Sequence, residues 1–185
     1  MLIVCRITSR ANRILKPLIY LILYLYQSLK GDYFVRQTEP IRFGRNRNAW
    51  GGLVNPFGSR VDLFVNAFTI TNYSNEPFTA EIWFNSIPSG KGSTSDNVSP
   101  ANTTIRSKPK EKIKFVEMVK GFPTKGVNVF NLVVPPKSTL VSDEDGKFIF
   151  PNNGSYVIFL VSPENKEIKA EIAYGWFEKK RKKDC

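Results

Sequence analysis

Val61-Asp-Leu-Phe-Val-Asn-Ala-Phe-Thr-Ile-Thr-Asn72 decides the fold class. β-Branched and aromatic residues dominate it, apolar positions recur with period two, and Asn75-Glu76-Pro77 then breaks the pattern, so it reads as a strand followed by a turn. The next stretch repeats the logic. Phe78, Ala80, Ile82 and Phe84 share one face while Thr79, Glu81 and Asn85 share the other, and Trp83 falls on the polar side, where it needs cover.

Outward from there the pattern persists. Ser86 to Thr103 is a long polar connection; Ile113, Phe115 and Val119 alternate with Lys112, Lys114 and Lys120; Val127 to Val134 is apolar and stopped by Pro135-Pro136. Thr139–Val141 and Lys147–Phe150 flank Asp143-Glu-Asp-Gly146, which predicts a hairpin because Asp-Gly accepts positive φ angles. After the turn at Pro151–Gly154 come Tyr156–Val161, nearly continuous in apolar residues, and Ile168, Ala170, Ile172, Tyr174 and Trp176 on one face of a last strand. About eight strands with no helix among them predict an all-β antiparallel sandwich, of which the jelly roll is the eight-stranded form, preceded by an N-terminal helix and an extended arm. The division is a basic and apolar leader or helix (1–29), an arm carrying a Trp-Gly-Gly loop (30–60), the sandwich (61–178) and a basic tail (179–185). No internal repeat points to a propeller or solenoid.

Composition removes much chemistry. The 185 residues contain no histidine and two cysteines, Cys5 and Cys185, so no Ser-His-Asp triad, Cys-His dyad or histidine-bearing zinc site can form within the chain. The reading is therefore not an enzyme, with no catalytic residue, no metal and no cofactor. The Asp143–Gly146 cluster lacks the spacing of an EF-hand and reads as a solvated hairpin tip. Glu81 and Glu171 are the conceivable glycosidase pair, but both alternate with apolar residues and so face solvent.

The net charge of +11 is unevenly placed. Residues 1–47 carry nine Lys/Arg and two Asp/Glu, residues 48–178 carry thirteen of each sign, and residues 179–185 carry five bases and Asp184. A body without net charge is not expected to track phosphates, so nucleic acid is not the expected partner.

In the leader, Arg6, Arg10, Arg13 and Lys16 precede an uncharged run from Pro17 to Leu29. That run is short of the roughly 20 residues a membrane-crossing helix needs, and no small-x-small cleavage site follows it. Three readings stand: a docked or interfacial helix, with membrane contact over residues 14–29; a signal or anchor; or an extension from a misplaced start codon. The tail, Lys179-Lys-Arg-Lys-Lys183, reads as a solubilising segment, as a contact for anionic lipid, teichoic-acid-like polymer or nucleic acid, or as a nuclear address. Cys5 and Cys185 lie outside the strands and are either incidental or inter-chain thiols.

Asn48-Ala-Trp-Gly-Gly-Leu-Val-Asn-Pro56 is the most unusual local sequence. Two glycines permit close backbone approach beside a Trp, which reads as a structural lock, or as a weak ligand site in which Trp50, Gly51 and Gly52, with Trp83, form a stacking shelf. With Gly31-Asp-Tyr-Phe-Val, Leu63-Phe-Val-Asn-Ala-Phe-Thr-Ile-Thr-Asn, Ala80-Glu-Ile-Trp-Phe-Asn and Ala173-Tyr-Gly-Trp, it makes the chain resemble an uncharacterised domain-of-unknown-function family of small proteins from spore-forming Firmicutes. The likeness spans about Leu29 to Glu178, leaves leader and tail outside, and implies a bacterial source without bringing any activity, cofactor or site residue.

The expectation is a non-catalytic structural or self-associating protein of a bacterial surface or spore layer, with the cytoplasm as the other setting. A homo-oligomer follows if the arm from Gly31 to Asn48 adds a strand to a neighbour. The alternative is a binding module for glycans or other cell-envelope polymers.

Overall fold

The period-two pattern becomes twelve strands: β1 (Tyr33–Gln37), β2 (Ile41–Phe43), β3 (Asn48–Val54), β4 (Val61–Asn72), β5 (Phe78–Phe84), β6 (Ser93–Thr94), β7 (Val98–Pro100), β8 (Lys112–Val119), β9 (Val127–Val134), β10 (Thr139–Phe150), β11 (Ser155–Val161) and β12 (Ile168–Lys180). Helix α1 occupies residues 23–30. The computed structural model describes residues 23–94, 97–110, 112–161 and 166–181, with backbone alone for 112–118. Cys5, Cys185, Arg6, Arg10, Arg13, residues 14–22 of the expected membrane-contact stretch, and Lys182 and Lys183 lie outside the described residues.

All pairing is antiparallel, in two sheets. Sheet 1 runs β10-β4-β12-β1-β7, with β2 also on β12; sheet 2 runs β6-β8-β3-β11-β5-β9. The pairs β1·β12, β3·β11, β4·β10 and β5·β9 nest one inside the next, as in a hairpin folded back on itself. Rolling that hairpin brings β12 against β4 and β11 against β5. Four nested pairs rolled into two layers are the jelly roll, so the expected all-β sandwich is what forms. β2, β6, β7 and β8 widen it.

Between the sheets, Leu63, Val65, Phe68 and Ile70 of β4 and Ile168, Ala170, Ile172, Tyr174 and Trp176 of β12 meet Phe78, Ala80 and Ile82 of β5 and Tyr156, Ile158 and Leu160 of β11. Each is at most 2% exposed, and burying an aliphatic or Phe side chain of this size stabilises by about 1.5–3 kcal/mol. β4 changes parity between Val65 and Phe68, because Asn66 is an extra residue at the point where β12 shifts register between Gly175 and Trp176.

Two expectations need correction. Asp143–Gly146 is not a hairpin. β10 continues through it, and residues 144–147 bulge opposite the gap between Ala67 and Val65. Asp145 and Gly146 do take positive φ, 51° and 63°, but the chain re-enters the same pairing instead of reversing. The second concerns residues 30–60. They form no appended arm and no Trp-Gly-Gly loop: β1 and β2 lie on β12, and the glycines sit inside β3. Phe34, Ile41 and Phe43 are buried in the core, which commits this segment to its own sandwich rather than to a neighbour's.

α1 docks on the outer face of sheet 1. The Tyr24 ring lies 6.1 Å from that of Phe177, and its hydroxyl donates to the Asp145 carbonyl in the bulge. Phe64 and Tyr33 stack on the same Phe177 at 4.6 and 6.5 Å. No helix among the described residues is long and apolar enough to cross a membrane.

Candidate functional site

Every open sandwich has edges, and natural proteins protect them with short strands, proline, charge or bulges. Here β6 has two residues, β7 has three and ends in Pro100, and β10 carries Asp143, Glu144, Asp145 and Lys147 around its bulge. β9 is different. From Gly126 to Pro136 the sequence carries no charged side chain, and among the described residues no strand lies beyond β9. A register shift at Val129 leaves Phe130–Val134 as the regular part of this edge. Val133 is 68% exposed, Val127 62% and Phe130 46%, and Val141 and Ile149 of the other edge strand on that side, β10, are exposed too. The missing charge between Gly126 and Pro136 could have marked this edge in the sequence.

A second feature lies on the outer face of sheet 1. At its centre, Thr69 pairs with Ala173 and Ala67 with Gly175, so the directly opposed outward positions are all small. They floor a trough of about 560 Å³, walled by Tyr33, Val35 and Gln37 of β1 and by Asn97 to Ser99. Gln37 Nε2 and the Tyr73 hydroxyl both donate to Glu171 Oε2, at 2.7 and 2.6 Å, and Asn97 Nδ2 donates to Glu39 Oε1 at 2.8 Å. Amides, hydroxyls and apolar floor suit an uncharged, hydroxyl-rich ligand. The run of small outward residues was its sequence signal.

Glu81 and Glu171 do not form a pair. Glu81 is on β5 of sheet 2, where Oε2 accepts from the Trp83 indole at 2.9 Å, and Glu171 is on the outer face of sheet 1, so the whole core separates them. No cluster of three or more metal-ligating Cys, Asp or Glu side chains occurs among the described residues.

Residues 7–183 match the model of a family of unknown function, DUF6143. The chain belongs to that family. No curated protein and no solved structure matches it. The DUF6143 match corrects one boundary: most of the leader and tail, expected to lie outside the likeness, fall within the family's span.

In this DUF6143 chain the Trp50–Gly52 stretch has a structural role. Trp50 is 3% exposed on the outer face of sheet 2, packed with Val119, Val157 and Phe159, and its indole donates to Ser89 O at 3.0 Å. Connections 85–92 and 120–126 join at Ile87 and Thr124 and close over that cluster, with Phe122 on Phe159 at 5.6 Å. A stacking shelf at Trp50 is therefore excluded; Trp83 is half-buried against the same cluster. The signal was β11, apolar on both faces, which demands cover on its outer side too. A Cβ on Gly51 would come within 3.0 Å of Ile172, and one on Gly52 within 3.0 Å of both Tyr156 O and Val157, so the glycines admit neighbours rather than a ligand. Tyr174 donates to Gly51 O at 2.9 Å. Burial pushes the Tyr174 hydroxyl well above the usual tyrosine range, and Tyr156 likewise.

Proposed function

We propose that this protein is a non-catalytic structural component that self-associates through the β9 edge, as a subunit of a bacterial surface or spore layer. The supporting observation is the contrast, among the described residues, between the uncharged, uncovered edge at β9 and the short, proline-ended or charged strands β6, β7 and β10. In a twofold arrangement β9 pairs antiparallel with β9 of a second copy, joining two six-stranded sheets. The resemblance to proteins of spore-forming bacteria supplies the setting. Light scattering over a concentration series tests this. The expected result is a mass that rises with concentration in the wild type and stays monomeric in Val133→Lys, whose site is 68% exposed and so leaves folding intact. A wild type that stays monomeric throughout, or a variant that associates equally, refutes it.

The trough supports a second reading, a module for glycans or related envelope polymers, with Tyr33 and Gln37 in place of the tryptophans. A glycan array showing a ligand lost in Gln37→Ala favours it; an empty array counts against it.

A further inference from the structure

Lys30, just ahead of β1, and Lys179, Lys180 and Arg181, at the end of β12, come together at one pole of the sandwich. β1 and β12 are the outermost nested pair, with Tyr33 opposite Phe177, so the residues just before β1 and those ending β12 are neighbours. Two adjoining grooves of about 980 and 550 Å³ occupy this pole and share Val61, Lys110 and Lys180. Arg60 and Arg181 line the larger; Lys30, Lys108 and Lys179 line the smaller. Arg181 is held by Asp62 at 2.9 Å, but among the described residues the other six cations form no ion pair. Three acids accompany these seven cations, Asp32, Asp62 and Glu178, which leaves an excess of four positive charges; the Glu178 carboxylate also accepts from the Lys110 backbone N–H at 2.8 and 2.9 Å.

The elements that form these grooves carry apolar side chains exposed to solvent. Phe57, on the turn between β3 and β4 that lines the larger groove, is 87% exposed. On α1, whose Tyr26 and Lys30 line the smaller groove, Leu25 and Leu29 stand one turn apart and are 59% and 61% exposed. Lys30 Nζ lies 4.5 Å from the Tyr26 ring centroid. Ammonium and guanidinium groups alone would suit any polyanion. Joined to exposed leucines and a phenylalanine, they suit one class best, because aliphatic side chains offer nothing to a phosphate polymer in water but gain by entering an acyl boundary.

We propose that this pole is a docking surface for anionic lipid bilayers, its cations facing headgroup phosphates while Phe57, Leu25 and Leu29 enter the interface. The inference goes beyond self-association and shares no residue with β9, so either can fail without the other.

The test is co-sedimentation of the full chain with vesicles of phosphatidylcholine alone, or of phosphatidylcholine and phosphatidylglycerol in equal parts. The expected result is binding to the second only, weakened by salt. Lys108→Glu with Lys180→Glu lowers it by more than about 25-fold, at roughly fivefold for each lysine replaced. Phe57→Ser weakens binding and leaves the salt dependence unchanged. All three sites are exposed, and an unchanged thermal transition verifies the fold. Absence of binding to the anionic vesicles overturns the proposal. Equal binding by wild type and variants also does, assigning the membrane contact to residues 1–22. So does lysine-dependent binding of duplex DNA or polyphosphate that exceeds lipid binding and ignores Phe57.

Discussion

Asn55→Asp isolates one side chain that ties two turns together, β3–β4 and β10–β11. Asn55 is fully buried; its Nδ2 donates to Val61 O and Phe150 O, both at 3.0 Å, while its own backbone N–H and C=O pair with Gly154 and Asn153. Aspartate has the same shape, so no cavity forms, but both side-chain donors vanish and an oxygen faces the two carbonyls. Val61 O keeps a long contact from the Ser59 hydroxyl at 3.4 Å, whereas Phe150 O loses its side-chain donor, and leaving a buried carbonyl unpaired costs about 1–3 kcal/mol, so the expected loss is about 1–3 kcal/mol at neutral pH, read by urea denaturation with an unchanged m value. The sign of the pH dependence follows. Burial and the facing carbonyls raise the new carboxyl's folded pKa above its unfolded value of about 3.9, so the folded state binds its proton more tightly. The deficit is smallest below about pH 4, where the protonated acid donates to one carbonyl, and deepens as pH rises by up to about 1.4 kcal/mol per unit. A loss below about 1 kcal/mol at neutral pH, or one indifferent to pH, refutes the account.

Two core tyrosines should respond oppositely to loss of the hydroxyl. Tyr156 is fully buried and its hydroxyl has no hydrogen-bond partner among the described residues, so Tyr156→Phe is expected to be neutral or to stabilise slightly in thermal denaturation. Tyr174→Phe removes the bond to Gly51 O and should cost about 0.5–1.5 kcal/mol. Both hydroxyls have folded pKa values raised by burial, so stability is fully present below the unfolded tyrosine value of about 10 and falls above it; urea denaturation at alkaline pH should show this fall flattened in the double Phe variant. Gly52→Ala places a methyl 3.0 Å from Tyr156 O, in the middle of the β3·β11 pairing, and should destabilise by about 1–3 kcal/mol in urea.

The strands were legible wherever one face is dry and the other wet. Val61–Asn72, Phe78–Phe84 and the run from Ile168 alternate because each has core on one side. Local chemistry misled where two structures satisfy it equally. Asp145-Gly146 supplies positive φ to a hairpin or to a bulge, and only the partner strand decides which; β4 runs past both halves of β10, so the answer is a bulge. The Trp-Gly-Gly stretch misled differently. Glycines within a strand carry no alternation to read, and the reason for them, the close approach of Ile172 from the opposite sheet and of Tyr156 and Val157 from β11, exists only after folding.

Charge shows the same dependence at larger scale. Summed along the chain, the excess divides between leader and tail around a neutral body, and that division argued against a phosphate-tracking face on the body. Nested pairing undoes it. Because β1 and β12 are neighbours, Lys30 comes to lie with Lys179 and Lys180, and Arg60, Lys108 and Lys110 join them from the body. Zero net charge in a segment therefore says little about its local field, which follows from which cations share a pole and which carboxylates are already engaged. Here the seven cations of that pole face three acids, Asp32, Asp62 and Glu178, and among the described residues Arg181 alone of them is ion-paired, through Asp62, so an excess of four positive charges is left to an outside anion.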